Sequence, residues 1–331
     1  MINSNGIIII LAYPDTVVRP AYWEKLSNFW PKIGVGGRHA IQAGHAALLL
    51  IQNNKSEINY YDFGRYITTY GYGRARSKET DPELEISILA KFKNNKLSNT
   101  EEILLYIERQ TKKTHGNGRL IASVNEEIDF DKAQKFIHQL IDKKEQPYGA
   151  FIKHGNNCAR FVTDVIIASS QNKKITKQLR KSNILSPSPI GNVIKSNTNN
   201  TIYNIYNQQL SNYKNRSILK EYKTTFFNKF YEKPDLKGSE YPDLEIFNLI
   251  NGTWLGGLGS GAWFSLKEII NEETYKIARH TVCGIKDFEG LFLLKSKKFN
   301  PLENYKFVHP TNCIQVYIQQ KNNLFCLMKI Q

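Results

Sequence analysis

Residues 44–50 read Gly-His-Ala-Ala-Leu-Leu-Leu and residues 156–162 read Asn-Asn-Cys-Ala-Arg-Phe-Val, and these two stretches are the most informative about the fold. The first is an apolar run typical of a buried strand, with a histidine at its start. The second opens an apolar stripe with helical spacing, and its asparagines are good helix N-caps. The sequence therefore predicts His45 at the start of a strand and Cys158 in the first turn of a helix.

The strand that begins at His45 is predicted to form a hairpin over residues 45–63. An Asn pair, Asn53 and Asn54, can adopt the positive φ of a two-residue turn. With that turn, His45 lies directly opposite Asp62 on the same face of the sheet. The carboxylate would then hold the imidazole in one tautomer and stabilise its protonated form. A register shift of one residue would move Asp62 to the other face.

Cys158 at a helix start is the natural nucleophile for such a histidine. The unpaired N–H groups and positive dipole end of a helix favour a thiolate. A thiolate, an imidazole base and a carboxylate that orients the base are the parts that acyl transfer needs, and backbone amides near Cys158 would hold the oxyanion. The alternative is structural: Cys158 packs as a small apolar residue and His45 is a hydrogen-bonded core residue.

The order of these motifs resembles the circularly permuted branch of the NlpC-type papain-like cysteine hydrolases. In that branch the histidine strand precedes the cysteine helix, and the resemblance covers residues 7–170. It implies an α+β fold, a permuted papain-like antiparallel sheet packed against helices. It also implies Cys158 as nucleophile and His45 as base. The third polar group varies in the family, and Asp62 is the candidate here. We expect no cofactor.

The resemblance implies a class of reaction as well. Relatives by this pattern include bacterial amidases and peptidases, isopeptidases of the PPPDE type and lecithin retinol acyltransferase-like enzymes. We therefore expect a cysteine peptidase- or amidase-type hydrolase that acts on a peptide or peptidoglycan amide. A lipid acyl ester is the alternative substrate, and a non-catalytic protein that binds an anionic partner is the alternative from another class.

Several side chains near these motifs are candidates for substrate binding. The Tyr13 hydroxyl, on a turn after the first strand, could join an oxyanion hole, and Asn157 sits beside the nucleophile. A pocket for a carboxylate or phosphate could be formed by basic side chains, namely Arg38, His39, Arg74 and Arg76. The alternative for each basic residue is a solvated loop.

The chain length of 331 residues predicts about two domains. Residues 1–170 form the predicted hydrolase domain. A fading apolar pattern and a Ser-Pro-Ser-Pro run predict a basic linker over 171–200. For 201–331 we expect a basic helical segment followed by a small β-rich domain, which the resemblance does not cover.

The net charge of +15 is concentrated in one part of the chain. Residues 171–237 hold 13 Lys or Arg against three Asp or Glu, so ten of the 15 net charges lie there. This segment could bind an anionic polymer such as a nucleic acid, or an anionic membrane surface. The alternative is a compositional bias toward Lys, Asn and Ile across the whole chain.

The four cysteines lack the density of a disulfide framework. Two His/Cys pairs at 280/283 and 309/313 suggest zinc, but no Cys-x-x-Cys is present, and we expect no metal. The apolar run 6–13 is too short to span a bilayer and follows no positive leader. We therefore expect a cytoplasmic protein without a membrane span, with delivery by a specialised secretion system as the alternative.

Overall fold

The computed structural model describes residues 4–21, 23–24, 29–36, 40–214, 217–227, 242, 245, 250–257, 261–294 and 299–330. The first ten strands in chain order are β1 (Gly6–Tyr13), β2 (His45–Gln52), β3 (Ile58–Gly64), β4 (Tyr72–Arg76), β5 (Phe92–Lys93), β6 (Lys96–Leu97), β7 (Leu120–Ile128), β8 (Gln146–Pro147), β9 (Ile202–Tyr206) and β10 (Gln209–Asn212). Eight of them form one antiparallel sheet in the order β10-β9-β7-β1-β2-β3-β4-β8, and β5 pairs with β6 alone.

Several α-helices accompany the strands in the described residues. They are α1 (Thr100–Glu108), α2 (Thr111–Thr114), α3 (Phe130–Asp142), α4 (Cys158–Ser169), α5 (Lys173–Asn183), α6 (Pro189–Ser196) and α7 (Ile218–Phe226), with short 3-10 helices at Trp30–Ile33 and Pro82–Leu84. None of the helices in the described residues is both long enough and apolar enough to cross a bilayer.

The apolar run of β1 lies at the centre of the large sheet, between β2 and β7. All eight of its residues are buried, because helices or loops cover both faces of the sheet. Even-numbered residues such as Ile8 pack with α3, α4, α5 and α6, whereas odd-numbered residues such as Ile9 pack with α1. The alternation of side chains along a strand therefore produces two apolar cores.

A second antiparallel sheet forms the C-terminal part. Its strands are β11 (Thr253–Gly256), β12 (Gly261–Ile269), β13 (Thr274–His280), β14 (Lys286–Leu294), β15 (Lys306–Val308), β16 (Gln315–Gln320) and β17 (Asn323–Lys329). The order is β11-β12-β13-β14-β17-β16-β15. The backbone N–H of Phe307 in one edge strand donates to Oγ1 of Thr253 in the other, at 3.2 Å, so the sheet nearly closes into a barrel.

These sheets confirm the expectation of an α+β protein with a β-rich C-terminal part. The expected linker over 171–200 is wrong in its secondary structure, because α5 and α6 lie there and bury Leu179 and Val193. Each helix carries only two or three apolar anchors among Lys, Asn and Ser, so the helical period was weak. The predicted domain boundary at residue 170 stays a prediction.

The expected basic helix after residue 201 is also different in part. Residues 202–212 form β9 and β10, which extend the large sheet beyond β7. Ile202 and Ile205 are both buried against it, a spacing that a helix would produce equally well. The helical expectation is confirmed for α7. The end of the basic segment, 228–237, lies outside the described residues.

Candidate active site

His45 is the first residue of β2, and its backbone position is tightly set. Gly44 before it has a φ of +75°, and a Cβ there would lie 3.0 Å from the carbonyl oxygen of Tyr13. Only glycine adopts this conformation without strain. Tyr13 pairs with His45 across the β1–β2 ladder, and their rings stack at a centroid separation of 6.3 Å.

The register of the hairpin differs from the predicted one by two residues. Asp62 lies opposite Ala47 instead of His45, and Ile51 lies opposite Ile58. The predicted turn does form, because Lys55 N–H donates to the Gln52 carbonyl at 3.0 Å, but the carbonyl of residue 56 accepts from the backbone of residue 90, outside the ladder. A shift of two residues keeps the same face, so His45 and Asp62 become diagonal neighbours.

Asp62 is fully buried and held by three side chains. Its Oδ2 lies 3.5 Å from Nε2 of His45, an ion-pair distance that is long for a hydrogen bond. Nε and NH2 of Arg76 donate to its two oxygens at 2.9 and 2.6 Å. The hydroxyl of Tyr60 also donates to Oδ2, at 3.0 Å. The carboxylate is thus fixed in orientation beside the imidazole.

Cys158 occupies the first turn of α4, as the sequence predicts. Oδ1 of Asn157 accepts the backbone N–H of Arg160 at 2.9 Å, so Asn157 is the N-cap. The other backbone N–H groups of the first turn have no partner within the helix. They point out of the N-terminal end of α4, where Cys158 lies. Cys158 is 9% exposed and His45 is 6% exposed.

The thiol and the imidazole come together at the end of the sheet. The α4 helix packs against the face that carries Ile8, whereas His45 projects from the face of Ala47. Cys158 nevertheless lies close enough to His45 to interact with it electrostatically and to favour the protonated imidazole. The structure thus places Asp62 and Cys158 near the same imidazole.

The electrostatics of this chain favour a protonated His45. Burial by itself disfavours the imidazolium, but the interactions with Asp62 and Cys158 outweigh it and raise the pKa of His45 to about 9. Burial likewise opposes ionisation of Asp62, but the charge of Arg76 and its contacts with His45 hold the pKa of Asp62 well below its usual range. At neutral pH the pair is therefore a carboxylate and an imidazolium.

Two of the predicted substrate-binding arginines have other partners, which corrects that expectation. Arg76 is buried, and it donates two hydrogen bonds to Asp62. Arg74 is buried as well, with NH1 and NH2 both 2.6 Å from the Asp81 carboxylate and Nε donating to the carbonyl of Tyr66. Both guanidinium groups are buried, so neither is open to a substrate. Both arginines lie on strand β4, whereas the sequence predicted a loop.

The remaining predicted residues have mixed outcomes. Tyr13 ends β1 and is not on the following turn. Its hydroxyl lies beside Thr114, and burial raises the pKa of Tyr13, so it stays protonated. Asn157 caps α4, and its role in substrate binding stays a prediction. Arg38 and His39 lie outside the described residues.

Three residues of the site escaped the sequence reasoning. Tyr60 could have been found, because it is two positions before Asp62 and shares its face. Tyr66 lies 3.6 Å below the Arg76 guanidinium and stacks on His115 at 4.7 Å. Burial and the Arg76 charge lower the pKa of His115 to about 3, so it is neutral. His115 directly follows α2, and its own backbone is in the left-handed conformation. No sequence pattern predicted that it lies near Asp62 and Arg76.

A metal centre has no support in the part of the chain that the structure describes. No group of three or more His, Cys, Asp or Glu side chains there could hold an ion. His280 ends β13, and Cys283 lies in the exposed turn that follows.

Comparisons with known proteins place the chain in a family. Residues 8–175 match the family described as type VI secretion system effector TseH-like, and residues 252–330 match the DUF6695 C-terminal domain. The crystal structure of the type VI secretion system effector TseH is similar over 63% of this chain and 98% of that chain, with 17% sequence identity and a TM-score of 0.43. No curated protein matches the sequence significantly. The chain belongs to the family of TseH-like type VI secretion system effectors.

Proposed function

We propose that this protein is a thiol hydrolase of the permuted papain-like, NlpC-type class that cleaves an amide bond in a peptide or in peptidoglycan. The observation that carries the proposal is the position of His45, whose Nε2 lies 3.5 Å from Asp62 and whose pKa is raised by both Asp62 and Cys158. A nucleophile, a proton carrier and an orienting carboxylate in contact are the parts of a catalytic triad. The strand that bears His45 precedes the helix that bears Cys158, as in the permuted branch.

In the first step the Cys158 thiolate attacks the carbonyl carbon of the substrate, and a C–S bond forms. The carbonyl oxygen becomes an oxyanion that the backbone N–H groups of the first turn of α4 stabilise. The tetrahedral intermediate collapses, and the C–N bond breaks as His45 gives its proton to the leaving amine. A thioester and a neutral imidazole remain.

In the second step a water molecule attacks the thioester carbon. His45 takes a proton from that water, so the C–O bond forms as a hydroxide equivalent adds. The C–S bond then breaks, which releases a carboxylic acid and restores the thiolate and the imidazolium. Asp62 stabilises the charged form of His45 throughout, and Arg76 keeps Asp62 ionised.

The family membership bears on where this chemistry takes place. A type VI effector acts after a secretion machine has delivered it. A substrate outside the producing cell therefore fits better than one in that cell's own cytoplasm. An amide of the cell wall or of a target protein is accessible to such a protein. We therefore place peptidoglycan first among the substrates.

The test is digestion of purified peptidoglycan sacculi, with the soluble products identified by mass spectrometry. The account predicts new free amino and carboxyl groups with wild type and none with Cys158→Ala. Cys283→Ala is the matched control, because Cys283 is exposed and remote from the site in sequence. Fatty acid release from phospholipids without amide cleavage, or full activity of Cys158→Ala, would contradict the proposal.

A further inference from the structure

A long stretch of this chain carries no carboxylate. Between Asp164 and Glu221 there are nine Lys or Arg and no Asp or Glu. Five of these nine cations lie on the exposed side of α5, which Ile175 and Leu179 anchor to the core; they are Lys173, Lys174, Lys177, Arg180 and Lys181. The cations of α5 all lie on its exposed side, and none of them belongs to the proposed catalytic site.

The cations of α5 form a stripe. Lys173, Lys177 and Arg180 follow one another at spacings of four and three, which bring side chains onto one helix face. Ile184 continues the stripe, because its φ of −60° and ψ of −40° extend the helical path. Lys177, Arg180 and Ile184 help to line an open cleft of about 360 Å³.

Two apolar side chains end the stripe in solvent. Ile184 is 79% exposed and Leu185 is 75% exposed. Single exposed apolar residues are common, but two in succession beside five cations make an amphipathic surface. Ammonium and guanidinium groups bind lipid phosphates, while the apolar pair enters the boundary between headgroups and acyl chains. A nucleic acid or another soluble polyanion offers no such place for the apolar pair.

This surface is tied to the first turn of the cysteine helix. NH2 of Arg160 donates to the carbonyl of Leu185 at 3.1 Å. Nδ2 of Asn157 donates to Oγ of Ser186 at 3.4 Å, at the long end of a hydrogen bond. Whatever binds at Ile184 and Leu185 is therefore held beside the helix turn that carries Cys158.

We propose that α5 and the pair Ile184-Leu185 form a docking surface for an anionic phospholipid bilayer. Docking there would hold the Cys158 end of the large sheet close to the membrane surface. The nearest carboxylate in the sequence, Asp164, is half-buried, accepts a hydrogen bond from the neutral amide of Asn183 and forms no ion pair with the described cations of α5.

The test uses Cys158→Ala protein, so its outcome does not depend on the proposed hydrolysis. Co-sedimentation measures binding to vesicles of phosphatidylcholine alone and of phosphatidylcholine mixed with phosphatidylglycerol. We expect binding to the mixed vesicles only. Lys177→Glu with Arg180→Glu should lower the partition coefficient at least about tenfold, because each cation near an anionic surface contributes substantially to binding.

A matched control has the same change of charge at another site. Lys93→Glu with Lys96→Glu reverses two exposed lysines that face each other on the β5–β6 hairpin. We expect these variants to bind mixed vesicles nearly as wild type does. An equal loss in both pairs of variants would overturn the proposal, because the effect would then be one of net charge.

The apolar pair separates a membrane from a soluble polyanion. Ile184→Ser with Leu185→Ser should weaken binding to mixed vesicles several-fold and leave retention on heparin unchanged. Both side chains are exposed, so the fold should be retained, and circular dichroism would verify this. Wild-type binding to neutral vesicles, absence of binding to mixed vesicles, or unchanged vesicle binding by this variant would each overturn the proposal.

Discussion

At the scale of single residues, the environment of Asp62 explains the state of His45. Arg76 donates to both oxygens of the carboxylate, and Tyr60 donates to Oδ2, the oxygen that lies nearest the imidazole. Asp62 therefore remains ionised although it is buried, and its charge favours the imidazolium. Cys158 also raises the pKa of His45.

The titration of His45 follows from these contacts. We expect the imidazole to titrate with a pKa of about 9 in wild type and lower in Cys158→Ala, because Cys158 raises it. A raised pKa stabilises the fold fully below the unfolded value of about 6.5, and this contribution is lost as the pH rises through about 9. Histidine NMR titration measures the pKa directly. A value near 6.5 in both proteins would show that His45 has no ionic partner.

The pair of Arg76 and Asp62 should be important for stability. Arg76→Met leaves a buried carboxylate without its main partner, which costs about 3–5 kcal/mol of unfolding free energy. Arg109→Met is the control, since Arg109 is exposed on the surface at the end of α1. Urea denaturation compares the two. Equal stability of both variants would contradict the view that Arg76 holds Asp62 in the folded protein.

At the scale of elements, the site depends on where strands and helices begin. His45 opens β2, Cys158 opens α4, and Asn157 caps that helix. Both starting points were predictable from the sequence, because a glycine precedes His45 and an asparagine N-cap precedes Cys158. The hairpin register was less predictable, because an Asn pair marks a turn without showing how many following residues leave the ladder.

The cap of α4 yields a test of positioning. Asn157→Ala and Asn172→Ala each remove an asparagine whose Oδ1 accepts backbone N–H groups at a helix start, and each should cost about 1 kcal/mol. Only Asn157→Ala should also slow alkylation of the Cys158 thiol several-fold, since it alone alters the turn that holds the thiol. A similar slowing in both variants would mean that general destabilisation is the cause.

At the scale of the whole molecule, buried charges join the two sheets. Arg279 of β13 contacts Asp81 at 3.3 Å and Asp287 at 2.8 Å, and it also pairs with Glu83. Asp81 in turn holds Arg74 on β4, the strand that bears Arg76. Such contacts join residues almost 200 positions apart, so local sequence patterns could not predict them. The β-rich class of the C-terminal part was predictable from its Gly-separated apolar segments.

Arg279 should therefore be needed to hold the C-terminal sheet against the rest. Arg279→Met leaves Asp81 with one arginine fewer and should speed amide hydrogen exchange in residues 77–84. Lys276→Met on the same strand is the control, because its pair with Glu268 lies in solvent and contributes little. Hydrogen-exchange mass spectrometry measures the exchange of residues 77–84 in both variants. Unchanged exchange in Arg279→Met would show that the ion pairs do not secure this contact.

The role of Cys158 as nucleophile can be tested by the rate of iodoacetamide alkylation of each of the four cysteines between about pH 5 and 9. Burial raises the pKa of Cys313 to about 12, so Cys313 serves as an unreactive internal standard, and Cys283 is an exposed one. We expect Cys158 alone to react rapidly at the acidic end of this range and to lose this advantage in His45→Ala. If Cys158 reacts no faster than Cys283, or if His45→Ala changes nothing, the contact between thiol and imidazole is structural and the protein is not a thiol hydrolase.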